Sequence, residues 1–282
     1  MVRKFRSLAY LCVASTIVGG QFDLSAYAAS AKANMSSSFA DSQKFQEFHD
    51  GLVEISKLRL DRPENVKRAQ AFLVTPPDDR LSHGWLMSLA QAAAMSPEFA
   101  SGVKLAAKEA GDSAKFGAAL AENPNAVLDI DGASTAKKEI LSAIVRDIAL
   151  MNALTFRLNE IAYGRTGREA ELSLQAQRQD TAQGVTGAIG KSSMSPKATP
   201  LVSQILALSA VTQLNSSAGR APLSVTHLAA NQENDQCMRW ARINLAQCLA
   251  AARDVQERSY CLAQHGLDER AKCWSWVAQP GT

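Results

Sequence analysis

The sequence predicts an all-α protein, a helical bundle followed by a C-terminal disulfide-stapled helical hairpin. Three observations carry that prediction. Apolar residues recur at steps of three and four along most of the chain, which is the helical period. Runs that alternate at period two and are rich in β-branched residues are few. Four of the five cysteines, Cys237, Cys248, Cys261 and Cys273, stand at near-helical intervals close to the C-terminus.

The first element, MVRKFRSLAYLCVASTIVGGQFDLSAYAAS, has the layout of a secretory signal peptide. Arg3, Lys4 and Arg6 are basic, Leu8 to Gly20 is mostly apolar, and Ala26-Tyr27-Ala28 ends it with small residues. The apolar run is too short for a stable membrane span. Tyr10 and Leu11 are too bulky to make Cys12 a lipid-acylated cysteine, so Cys12 leaves with the signal. Cleavage after Ala28 changes the balance from 30 basic against 27 acidic residues to 27 against 26, a net charge of +1. Such a chain has no strong attraction for a polyanion, which excludes nucleic acid as the expected partner.

Residues 29–37 are small and polar and predict a flexible leader. The helical domain then spans 38–163. Phe45, Phe48, Leu52, Ile55 and Leu58 lie on one helical face. Asp61-Arg62-Pro63-Glu64 stops and restarts a helix, because proline suits a first turn. Val66, Ala69 and Leu73 mark the next one, and Thr75-Pro76-Pro77-Asp78-Asp79 is a break. A helix follows from Leu81 to Met95. Ser96-Pro97-Glu98 supplies an N-cap, a first-turn proline and an acid for the helix that ends at Gly111. Asp112 caps another that runs to Glu122, and Asn123-Pro124 breaks it. Asp131-Gly132-Ala133-Ser134 introduces the longest helix. Its stripe is Ile140, Ile144, Ile148, Met151, Leu154, Leu158 and Ile161, and Gly164 closes it.

Residues 164–200 are rich in Gln, Ser, Thr and Gly and predict an exposed helix over 168–182 followed by a linker. Leu201 to Leu214 is an apolar helix with no lysine or arginine, so it is a packing helix rather than one lying on lipid. Residues 215–231 predict a loose segment. No later apolar run is long enough to span a membrane.

Within the hairpin, predicted over 232–282, Cys237 and Cys248 are eleven residues apart and share a helix face. They also lie about 16 Å apart along that helix, too far for a bond between them. Each must reach a second helix. Arg253-Asp254 offers a turn, and an antiparallel return places Cys248 opposite Cys261 and Cys237 opposite Cys273. This nested pairing is one of three possible. Gly266 predicts a kink or an end, with Asp268 capping a short continuation, and a sharp kink there would instead turn Cys273 toward Cys261. The spacing resembles that of the coiled-coil-helix-coiled-coil-helix proteins, whose two helices are joined by two nested bridges. The resemblance covers residues 237–273, and the spacers here are ten and eleven residues where that family has nine.

A segment this small has too little core to be secure alone, so the cysteines read as staples in an oxidising compartment. No close pair of the CxxC kind suggests zinc or a redox dithiol. Trp240 and Tyr260 read as hairpin core, and Trp274 and Trp276 as an exposed contact patch.

Candidate chemistry is sparse. The histidines are His49, His83, His227 and His265. Ser82-His83-Gly84-Trp85 is the one cluster with an acid–base flavour, and its plainer reading is a histidine that caps or packs. Neither GxSxG nor HExxH occurs. Asp129-Ile130-Asp131-Gly132 lacks the remaining ligands of a calcium loop and reads as a helix cap. Gly184, Gly187 and Gly190 have no preceding strand and read as linker. Asp147 and Glu160 on the longest helix are possible acids. No metal or cofactor is implied. The sequence thus predicts an exported, non-enzymatic binding or scaffolding protein in the periplasm or outside the cell, whose partner is a protein or an envelope component. The alternative is a cell-envelope hydrolase using His83 as acid or base.

Overall fold

The computed structural model describes residues 24–75, 78–164, 200–218 and 223–278, all without a strand. The elements are α1 (Leu24–Lys57), α2 (Pro63–Val74), α3 (Asp78–Ala94), α4 (Pro97–Glu109), α5 (Ser113–Glu122), a 3-10 turn (Pro124–Asp129) and α6 (Ala133–Ala162). After these come α7 (Pro200–Ala218), α8 (Leu223–Ala229), α9 (Gln232–Ala251), α10 (Val255–Cys261), a π-helical segment (Leu262–Asp268) and α11 (Glu269–Ala278). The fold class is the predicted one.

Local signals placed most helix ends. The Ser96 hydroxyl accepts the Phe99 amide at 3.4 Å, with Pro97 in the first turn. Asp112 accepts the Ala114 and Lys115 amides at 2.9 and 3.1 Å. These are N-caps that satisfy amides a helix leaves open. Gly132 sits at φ 81°, and a Cβ there would come within 2.3 Å of the Phe99 backbone nitrogen, so only glycine joins the turn to α6. The Asp129–Gly132 stretch is accordingly a turn and a cap.

Two boundaries differ from expectation. Residues 29–37 and the expected cleavage point Ala28 lie in the helical backbone of α1, since the stretch has neither glycine nor proline to stop a helix. The 215–231 segment holds the end of α7 and all of α8. Gln204 stabilises α8 there by donating to the Leu228 and Ala230 carbonyls. The predicted 168–182 helix, its linker and the glycines at 184, 187 and 190 lie outside the described residues, as do residues 1–23 of the predicted signal.

The core is built around α7. Val202 and the whole run from Ile205 to Val211 are buried, so this helix is covered on every side. It packs against α3, α4, α5, α6, α8 and the 3-10 turn. A helix apolar all round belongs inside a bundle, which is the packing role expected of residues 201–214. The predicted stripes face the same core. Phe45, Phe48, Leu52 and Ile55 of α1, Val66, Ala69 and Leu73 of α2, and Ile140, Ile144, Met151, Leu154 and Leu158 of α6 are all buried.

Helices α1 and α3 cross closely at Gly84, where a Cβ would stand 2.0 Å from the Asp41 carbonyl oxygen. We expect Gly84→Ala to push the two helices apart and cost about 1–3 kcal/mol, read as a lower urea midpoint with an unchanged m value. A loss under about 0.5 kcal/mol, the ordinary cost of a surface change, would contradict this crossing. Arg157 of α6 ties down the other end of α1 by donating to the Ser56 and Leu58 carbonyls, a cation on a helix C-terminus.

The hairpin is antiparallel and nested as expected. Cys237 joins Cys273 and Cys248 joins Cys261, with Cα separations of 5.7 and 5.6 Å. Gly266 does not end the second helix, and Asp268 does not cap a restart. The chain runs unbroken from 255 to 278 through the π segment, in which the Glu269 amide donates to the Gln264 carbonyl five residues back. This segment sets the register of both staples. Twelve steps of a regular α-helix would leave Cys273 about 120° away from Cys261 around the axis. A π bulge absorbs about one residue, so the pair behaves as an eleven-step spacing and matches Cys237 and Cys248.

The hairpin does not hold a core of its own. Leu262, Ala263, Leu267 and Trp274 join one buried cluster with residues of α1, α3 and α6. Segments 38–163 and 232–278 therefore share a single interior, because α6 lies alongside α10, the π segment and α11. No described helix is long and apolar enough to cross a membrane.

Candidate functional site

Trp274, read from the sequence as an exposed contact, is 1% exposed. It stacks on Trp85 with ring centroids 4.8 Å apart and meets Phe45 and Phe48 edge-on. Trp276 falls outside the described side chains. Trp240 and Tyr260, read as hairpin core, are instead 57% and 40% exposed. The inner face of α9 is made by Met238, Ala241 and Leu245, and these smaller residues let the helices approach closely enough for the bridges to form.

His83 pairs with Asp41 across α3 and α1, its Nδ1 2.9 Å from Asp41 Oδ2, and both side chains are largely buried. Ser82 beside it accepts a hydrogen bond from buried Asn234 at 2.6 Å, which pins the start of α9 to α3. Each residue of the Ser82-His83-Gly84-Trp85 cluster thus meets a neighbouring helix, and Trp85 is fully buried in the centre. His227 is exposed. His265 pairs with Glu269 at 2.8 Å, and Asn244 donates to the other oxygen of that carboxylate.

A third histidine–carboxylate pair joins α1 to α6. His49 Nε2 stands 3.5 Å from Asp147 Oδ1, while the Trp85 indole donates to Asp147 Oδ2 at 3.1 Å. Burial pushes the Asp147 carboxyl above its ordinary value of 3.8, against the opposing pull of the Trp85 hydrogen bond and then of His49. Between pH 3.8 and the raised value, the native state therefore tends to keep a proton that the unfolded chain releases. The stability linked to that proton is fully present below pH 3.8 and is lost as pH rises through the raised value. Asp147→Asn keeps an acceptor for Trp85 and removes the titration. We expect its urea midpoint to fall less than the parent's as pH rises from 3.8 toward neutrality. Parallel pH curves for the two proteins would contradict the assignment.

The other polar–aromatic feature is an open groove of about 570 Å³ at the closed end of the hairpin. It is lined by Tyr163 and Tyr260, by Ala162, Ala251, Ala252 and the bridged Cys248 and Cys261, and by Gln256 and Glu257. Tyr163 ends α6 just before Gly164 turns the chain at φ 63°. It meets Tyr260 at the start of the returning helix, with centroids 6.3 Å apart and planes at 78°. The two tyrosines are 59% and 40% exposed. The turn that shapes the rim is fixed by carboxylates. Asp254 accepts the Glu257 amide at 2.8 Å, and Glu257 accepts the Arg253 amide at 2.5 Å. The sequence reading missed Tyr163 altogether. Its one signal is an aromatic residue at the glycine-closed end of the longest helix.

Among the described residues, no three histidine, cysteine or acidic side chains are grouped to hold a metal ion. His83, the sequence's catalytic candidate, is brought to the Asp41 carboxylate and not to the groove. Asp147 is brought to His49 and Trp85. Two disulfides holding helices together suit a chain that works in an oxidising, extracytoplasmic compartment. No protein-family model, curated protein or solved structure matches the chain, so the likeness to the twin-bridged hairpin proteins rests on hairpin geometry alone.

Proposed function

We propose that this chain is an exported binding protein of the periplasm or cell exterior that takes its ligand in the groove between Tyr163 and Tyr260. The observation that carries the reading is a groove of small-molecule size whose two tyrosines are held out of the core, Tyr260 on a disulfide-tied helix and Tyr163 at the end of α6. Aromatic rings left in water gain most from being covered, and a rigid rim lowers the entropy cost of covering them. The test is an unfolding screen of the oxidised chain against soluble compounds of several chemical classes. At least one class should raise the midpoint, and the rise should vanish in a Tyr163→Ala/Tyr260→Ala variant whose ligand-free midpoint stays close to the parent's. Ligand effects that survive the double substitution would overturn the reading.

The second reading is a cell-envelope hydrolase using His83. The 2.9 Å contact with Asp41 favours it, because a carboxylate can hold an imidazole in one tautomer. Turnover of an ester, amide or glycoside lost in His83→Gln and kept in the double tyrosine variant would select it.

A further inference from the structure

The chemistry of the groove also specifies the charge of its occupant. Resting on the binding-site reading above, we propose that the ligand is a small alkylammonium cation, held in the corner between the Tyr163 and Tyr260 rings. The ring geometry, the charge and the lining all point to this class.

The ring planes stand at 78° with centroids 6.3 Å apart, so they form two walls of a corner rather than a stack. The face of each ring carries negative potential, and a cation within about 6 Å of a centroid is attracted to it. Among the described lining residues Glu257 is the one that carries a charge, and its sign is negative. Its bond to the Arg253 amide fixes that charge at the rim.

Most of the other described lining residues, Ala162, Ala251, Ala252 and the bridged Cys248 and Cys261, are apolar, which suits a cation clad in methyl groups. The amides of Arg253 and Glu257, beside the groove, are engaged by the chain's own carboxylates, Glu257 and Asp254, which withdraws two donors that an anion would need. A peptide is equally ill served. The described lining residues come from the end of α6, from α9 and α10 and from the short turn between the last two, and offer no strand edge to pair a guest's main chain.

The test uses the full oxidised chain and two probes of nearly equal shape, choline and its neutral carbon isostere 3,3-dimethylbutan-1-ol, with a lysine-rich peptide as a third arm. By calorimetric titration choline should bind about tenfold more tightly than the alcohol. Tyr260→Leu, which keeps an apolar wall without a ring face, should weaken choline about fivefold and change the alcohol little. Glu257→Gln keeps the acceptor for Arg253 and should weaken choline severalfold. Equal affinity for the two probes overturns the cation assignment. If both are then lost in the double tyrosine variant, the groove still binds ligands and only the charge is wrong. Choline binding untouched by Tyr260→Leu, no choline binding at all, or binding of the peptide alone also overturns it.

Discussion

Trp274→Ala is expected to destabilise the protein by about 3–5 kcal/mol, the range for truncating a large buried aromatic residue. The indole is 1% exposed, lies flat on Trp85 and closes an aromatic cluster with Phe45 and Phe48. Alanine there loses the transfer energy of the ring and leaves a cavity among three rigid neighbours that cannot collapse into it. Trp274→Phe should recover much of the loss. The Trp274 Nε1 is buried without a hydrogen-bond partner among the described residues, so phenylalanine removes a poorly placed donor along with some contact area. Trp240→Ala is the control, because that ring is 57% exposed and its loss should stay within about 0.5 kcal/mol. Equilibrium unfolding in guanidinium of the oxidised proteins separates the three. A Trp274→Ala cost below about 1 kcal/mol, less than most core truncations, would mean that α11 does not dock as described.

Removing the outer staple, Cys237→Ala with Cys273→Ala, should cost more than removing the inner one, Cys248→Ala with Cys261→Ala. The bridges span 36 and 13 residues, and loop-closure entropy assigns roughly 4 and 3 kcal/mol to them. Neither loss should unfold the hairpin, since α9 to α11 are also held by Leu245, Leu262, Leu267 and Trp274 in the common interior. The fully reduced chain should thus keep its near-ultraviolet dichroism at 25 °C and unfold at a lower denaturant midpoint. Intact mass adds a chemical check. The oxidised protein should take up no alkylating reagent in its mature part, and four groups after reduction under denaturing conditions. Loss of tertiary dichroism on mild reduction would show that the staples, and not the shared core, hold the hairpin.

Much of the helical layout was legible because its causes are local. Ser96 and Asp112 cap helices with their own side chains, Pro63 and Pro97 fit first turns, and the stripes on α2 and α6 reached the core. The nested cysteine pairing was legible for a similar reason, since two helices that cannot bridge internally must bridge to each other. The start of α1 was misread because small polar residues look like a leader, yet without glycine or proline nothing ends the helix. The candidate site was much less visible. Tyr163 and Tyr260 are 97 positions apart in sequence, and only the antiparallel course of α6 and the returning helix brings their rings together.

The sequence by itself determined that the chain is helical, where most helices begin and end, and that its four C-terminal cysteines close a two-helix clip. Periodicity and capping act within a few residues, so one strand of text suffices to show them. Which face of each hairpin helix turns inward, and that a π segment brings Cys273 back into line, were decided only by packing against α3 and α6. Periodicity says that a helix has two faces, but the choice between Trp240 and Trp274 for the interior depends on the volume left by distant helices, which no local pattern encodes.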